Sequence, residues 1–180
     1  MALGSTIYSF DVQLANVDRG VYETLSFRAA QHPSETEEYL VARVLAYCLE
    51  FREGIAFSKG LGEPDEPAIH VRDLTGALLA WIEIGAPDAA RLHRASKASP
   101  RVAVYTHRDA RQLVRQLEGE RIHRADDIEL YAFDRELIAG FAAKLDRRMK
   151  LDLSLSDGEL YITIDGETLS GPVERLSLRS

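Results

Sequence analysis

Two carboxylates stand out for the chemistry they can share. Glu83 is set in the apolar run "LLAWIEIG", and Asp65 lies in the loop "EPDEP" ahead of it. Alternation along a strand puts Glu83 on one face with Leu79 and Trp81, partly buried near the strand's end. A charge there costs roughly several kcal/mol unless it is paired, protonated or bound to a cation. The turn "DLTG" folds the intervening segment back as an antiparallel pair, which can bring Asp65 to the same site. Oxygen donors of this kind suit Mg²⁺ or Mn²⁺, which keep several waters and take few protein carboxylates. Such an ion acidifies its bound water and stabilises charge building on a phosphate, the needs of phosphodiester hydrolysis. A plainer reading stands beside this one: a strand-end glutamate pairs with an arginine, and an aspartate beside a proline is a turn residue.

Further charged residues extend both readings. In "SETEEYL", Glu37 is the capping-box partner of Ser34, while Glu38 lies at the border of the apolar face and can reach an internal site. Glu35 is close to the same side, and all three acids also suit the positive end of a helix dipole. Arg91, His93, Arg94, Lys97 and Arg101 form one basic concentration. Arg108, Arg111 and Arg115 recur at three- and four-residue spacing on the next helix, so the two groups together can line a groove that tracks phosphates. No aromatic-interleaved basic patch, zinc pattern or recognition-helix signature accompanies them. His32, His70, His93, His107 and His123 lack metal-ligand spacing and are expected at the surface or at caps. With no Walker loop, GxSxG elbow or GxGxxG motif, nucleotide hydrolysis, acyl transfer and dinucleotide binding have no support.

The elements that must position these groups follow from periodicity. Residues 3–14 and 20–29 alternate around "NVDRG" and predict a hairpin. "HPSETEEYLVARVLAYCLEF" carries Val41, Val44, Leu45 and Cys48 at helical spacing, which makes Cys48 a buried thiol. Strands near 68–72 and 77–84 flank "DLTG", and a helix runs from Asp88 until Pro100 stops it. "RVAVYTH" reads as a buried strand, 108–118 as a helix, 127–133 as a strand, and 134–144 as a helix with a stripe of Leu137, Ile138 and Phe141. Asp157-Gly158 and Asp165-Gly166 punctuate a terminal meander. The fold class is therefore α/β (α+β), with hairpins at both ends that bury their apolar faces most economically by joining into one second sheet. That divides the chain into a core over residues 30–146 and a discontinuous β-rich subdomain over 1–29 and 147–180.

The chain has 180 residues, 46% of them hydrophobic and 28% charged, with a net charge of −7. This is an ordinary globular composition, and the acidity opposes bulk electrostatic attraction to nucleic acid while leaving room for a local basic groove. "MALGSTIYSF" lacks the features of a signal peptide, and no apolar stretch approaches the ~18 residues of a membrane span, so a cytoplasmic protein without a membrane partner is expected.

"HPSETEE" opening a helix, "DEP" in a Gly-rich loop, and "WIEIGAPD" followed by an Arg-rich helix resemble the YaeQ family of bacterial proteins along essentially the whole sequence. The resemblance implies a variant of the PD-(D/E)XK nuclease superfamily, a restriction-endonuclease-like mixed sheet flanked by helices with an acidic metal site. Its pattern falls on Pro64, Asp65 and Glu83, with Glu38 as the acid of the preceding helix. Where the superfamily has lysine two residues after the glutamate, this chain has Gly85. Some members carry that cation on the following helix, which makes Lys97 and Arg94 the candidates; lysine is the closer chemical match, and arginine stabilises phosphate without accepting a proton. The expected function is a Mg²⁺- or Mn²⁺-dependent phosphodiester hydrolase acting on nucleic acid. The alternative is a non-catalytic binding or interaction protein with a degenerate nuclease fold.

Overall fold

The computed structural model describes residues 4–58 and 65–178, so Pro64 lies outside the described residues. The N-terminal alternation forms β1 (Thr6–Asn16) and β2 (Val21–Gln31), an antiparallel pair in continuous register. Phe10, Val12, Leu14, Leu25 and Ala29 fall on its buried face.

α1 (Glu37–Leu49) follows, and its start differs from the capping box expected of Ser34 and Glu37. Thr36 is the cap: its Oγ1 accepts from the Tyr39 N–H, while the Ser34 hydroxyl sits 2.7 Å from His32 Nδ1. The cause is Glu35, which turns inward to accept from the His32 N–H and from Arg43 Nη2. That holds the chain extended for one more residue before the helix begins. Most of α1 is buried, Leu40, Val41, Val44, Leu45 and Cys48 included, and burial raises the Cys48 thiol pKa.

The central elements are β3 (Ile55–Phe57), β4 (Ile69–Arg72), β5 (Leu78–Ile84), α2 (Ala89–Ala98), β6 (Val102–Thr106), α3 (Ala110–Leu117), β7 (Glu129–Phe133) and α4 (Arg135–Ala143). Asp88, Asp109 and Asp134 cap α2, α3 and α4, each accepting a first-turn backbone N–H. β5, β6 and β7 are parallel, and parallel strands need cover on both faces. Ala80, Ile82 and Ile84 join the core that contains α1 and α4, whereas Trp81, Val102 and Val104 pack with Leu92 of α2 and Leu113 and Leu117 of α3. An irregularity at Val71 and Arg72 sets Val71 against Ala80 and Arg72 against Leu78. Leu79 thereby leaves the alternation and packs on the first core, not beside Trp81.

The chain ends in β8 (Arg148–Ser156), β9 (Glu159–Ile164) and β10 (Glu167–Leu176). Both Asp-Gly turns have positive φ at both residues, the geometry a tight hairpin of this twist requires. β8 runs parallel to β1, so strands from the two ends of the chain are neighbours. β10 pairs with β9 along its first half and with β7 along its second. One ten-stranded sheet results, in the order β2-β1-β8-β9-β10-β7-β6-β5-β4-β3, so the terminal strands are continuous with the central ones. The described residues thus form a mixed α+β fold with a mostly antiparallel sheet. Its curl brings Phe27 of β2 and Phe57 of β3, on the two edge strands, to 5.9 Å between ring centroids.

Candidate functional site

Glu83 is buried near the end of β5, as its apolar surroundings predict. Both of its oxygens are taken. Oε1 accepts from the Trp81 indole N–H at 2.7 Å, and Oε2 accepts from Arg91 Nε at 2.7 Å. Arg91 also donates through Nη2 to the Glu66 carbonyl at 2.6 Å. Its guanidinium therefore bridges the segment carrying Asp65 to the Glu83 carboxylate, the gap in which a divalent cation was expected. The hydrogen bond to Glu83 raises the Arg91 pKa further above its already high value.

The remaining expected members are placed elsewhere. Asp65 is exposed in the turn before β4, and Glu38 is exposed in the first turn of α1. It is Glu35 that enters the interior, and there it pairs with Arg43 at 3.1 Å. Arg94 and Lys97 are exposed on α2, whose buried face carries Leu92, Ala95 and Ser96. Arg91 reaches Glu83 because it belongs to the first turn, next to the loop leaving β5, and helical side chains lean towards the N-terminus. Among the described residues no group of three or more His, Cys, Asp and Glu is arranged to hold a metal ion. The donor set around Glu83 does not fit one either: a divalent cation would have to displace a guanidinium already bound to the carboxylate.

At Gly85, where the resemblance led to the expectation of a lysine, the backbone itself favours glycine. Its φ is +92°, a conformation strained for any L side chain, and an added Cβ would lie against the rings of Tyr39 and His107. Tyr39 stands between the Glu35–Arg43 and Glu83–Arg91 pairs, and burial pushes its phenol up to about 12. His107 follows β6 and is half-buried with no partner for Nδ1 among the described residues; burial, then Arg108, lowers its pKa. His70, within β4, likewise has a buried Nδ1 without a partner among the described residues. Neither is the surface or capping histidine expected.

A second constellation escaped the sequence reading. Glu50, at the C-terminal end of α1, has a side chain only 1% exposed. Its carboxylate accepts four hydrogen bonds: Arg101 Nη2 and the Tyr105 hydroxyl on Oε1, Arg101 Nη1 and Arg19 Nη1 on Oε2. Arg101 also holds Glu129 through Nε at 2.7 Å, and the Tyr131 hydroxyl donates to the same Glu129. Burial disfavours the Glu129 carboxylate, but the Arg101 and Tyr131 hydrogen bonds outweigh it and its pKa is lowered. The available signal was Glu50 at the end of an apolar helix, an acid where the dipole favours a cation. Its partners lie 31, 51 and 55 residues away, beyond any periodicity.

The basic residues divide accordingly. Arg91 and Arg101 are committed to buried glutamates, and Arg111 pairs with Glu174. Arg108 precedes the Asp109 cap and so is not on the helix it was expected to share with Arg111 and Arg115.

The YaeQ protein family model matches residues 1–172. The chain belongs to the YaeQ family. It is 32% identical over 170 residues to YaeQ of Escherichia coli (strain K12), covering 94% of each protein. Against the Salmonella typhi YaeQ it is 30% identical over 164 residues, or 91% of each. The crystal structure of YaeQ from Pseudomonas syringae superposes with a TM-score of 0.86 at 32% identity, covering 96% of both chains. YaeQ from Xanthomonas axonopodis pv. citri gives a TM-score of 0.86 at 28% identity, covering 98% of this chain and 99% of that one. No helix of the described residues is long and apolar enough to cross a membrane.

Proposed function

We propose that this YaeQ-family chain is a non-catalytic binding protein on a restriction-endonuclease-like scaffold, its metal-dependent chemistry lost. The observation that carries the reading is the Arg91 guanidinium bound to Glu83. It supplies in covalently attached form the positive charge that a metal would bring, and it satisfies the buried carboxylate. Gly85 supports the same reading, because its backbone conformation disfavours the lysine that hydrolysis would use. The competing reading is a Mg²⁺- or Mn²⁺-dependent phosphodiester hydrolase, favoured by the position of Glu83 at the end of β5 behind the β4–β5 turn. A nucleic-acid partner would meet the exposed cations Arg94, Lys97, Arg108 and Arg115, and its binding would weaken steeply with salt.

Calorimetric titration of Mn²⁺ into the parent and into Glu83→Gln separates the two readings. The expected result is no stoichiometric binding to either protein. Stoichiometric binding to the parent that disappears in Glu83→Gln would overturn the proposal and direct a cleavage screen over single- and double-stranded DNA and RNA.

A further inference from the structure

Glu50 and its arginines wall a cleft of about 370 Å³, at the small end of the roughly 300–1,000 Å³ typical of ligand sites. The wall has a lopsided hydrogen-bond inventory. Each Glu50 oxygen already accepts two donors. On Glu129, Oε1 accepts from Arg101 and Tyr131 and Oε2 accepts from Arg101. Each Asp18 oxygen accepts one backbone N–H, from Asp157 and Gly158 in the β8–β9 turn. Glu50 and Glu129 are therefore close to saturation as acceptors, with Asp18 about half used.

The donors are not exhausted. Arg19 engages through Nη1, which donates to the Leu49 carbonyl at 2.8 Å and to Glu50 at 3.1 Å. Its Nε and Nη2 have no protein acceptor among the described residues, and neither is among the buried unpartnered atoms. These two nitrogens form the side-on edge of the guanidinium, the fork that grips a carboxylate or phosphate with two parallel hydrogen bonds. The other edge is pinned, so the fork is held in place by the buried glutamate behind it. Leu49, Leu155 and Val173 give the same cleft an apolar wall.

We infer that this cleft binds a small molecule in which a carboxylate or phosphate is joined to an apolar body. Arg19 grips the oxyanion, and Glu50 positions Arg19. The cleft shares no lining residue with the Glu83–Trp81–Arg91 cluster, and its occupancy does not depend on whether Glu83 holds a metal.

Benzoate and phenyl phosphate, titrated calorimetrically into the full chain, serve as probes. Saturable one-to-one binding of either is expected, weakened about tenfold or more by Arg19→Gln and unchanged by Arg111→Gln. Preference for one probe identifies which oxyanion the cleft takes. Arg19→Lys keeps the charge without the fork and should also lose affinity, which guards against a folding defect in a single variant. Failure of the parent to bind either probe at millimolar concentration, or retention of the parent's affinity in both Arg19 variants, would overturn the inference.

Discussion

Glu83 and Glu50 are both buried glutamates held by arginine, yet they are assembled in opposite ways. Glu83 takes its partners from nearby sequence, Trp81 two residues away and Arg91 eight residues away. Glu50 draws on β6 and the β1–β2 turn, 31 to 55 residues distant. The Glu83 pair is one guanidinium on one carboxylate, with the arginine side chain 24% exposed. The Glu50 network ties the end of α1 to strands on either side of the β10 junction, and its second arginine retains an open edge. The first arrangement leaves both oxygens of its carboxylate occupied by its own neighbours, and the second engages Arg19 through Nη1 alone.

The largest test of this contrast is Glu50→Gln. Removing a fully buried charge that satisfies Arg101, Arg19 and Tyr105 should destabilise the protein by about 3–5 kcal/mol, read from urea unfolding. Glu83→Gln should cost less, about 1.5–3 kcal/mol, because among the described residues the Glu83 carboxylate accepts from Trp81 and Arg91 alone, against four hydrogen bonds on Glu50. A Glu83 variant as costly as the Glu50 variant would erase the distinction between a local clamp and a network joining distant elements.

The smallest expected effect is a pH dependence. Burial lowers the pKa of His70 and His107 below the ordinary 6.5. The unfolded chain therefore binds protons first as the pH falls, so the stability these residues contribute is complete above about pH 6.5 and is lost as pH falls through their folded values. Melting temperature against pH should turn downward below that point, and His107→Gln should make the decline shallower. An identical slope in the variant would remove His107 from the Glu83 end as a titrating group.

Legibility along the chain followed the range of the forces involved. The Asp88 cap and both Asp-Gly turns were readable because each is a bond or a backbone preference within a few residues. The first helix was placed well, but its cap moved from Ser34 to Thr36 because Glu35 found Arg43, an attraction that capping rules do not include. Glu83 was recognisable as a buried charge from its apolar neighbours. The expectation there was a metal with help from Lys97 or Arg94; the observed partner is Arg91, and choosing it requires knowing how α2 leaves β5.

The sequence by itself determined the order of elements except for the short β3, the hairpin turns, the buried strands around β5 and β6, and the presence of an acid that needed compensation. Those properties depend on side-chain period and local hydrogen bonding, which act over a few residues. Tertiary structure alone decided what compensates Glu83, that β10 would join terminal and central strands into one sheet, and that Glu50, Arg19 and Arg101 would meet. Such contacts arise only once sheet order has brought distant segments together, and there the direction of one guanidinium separates a closed ion pair from an arginine with an open edge.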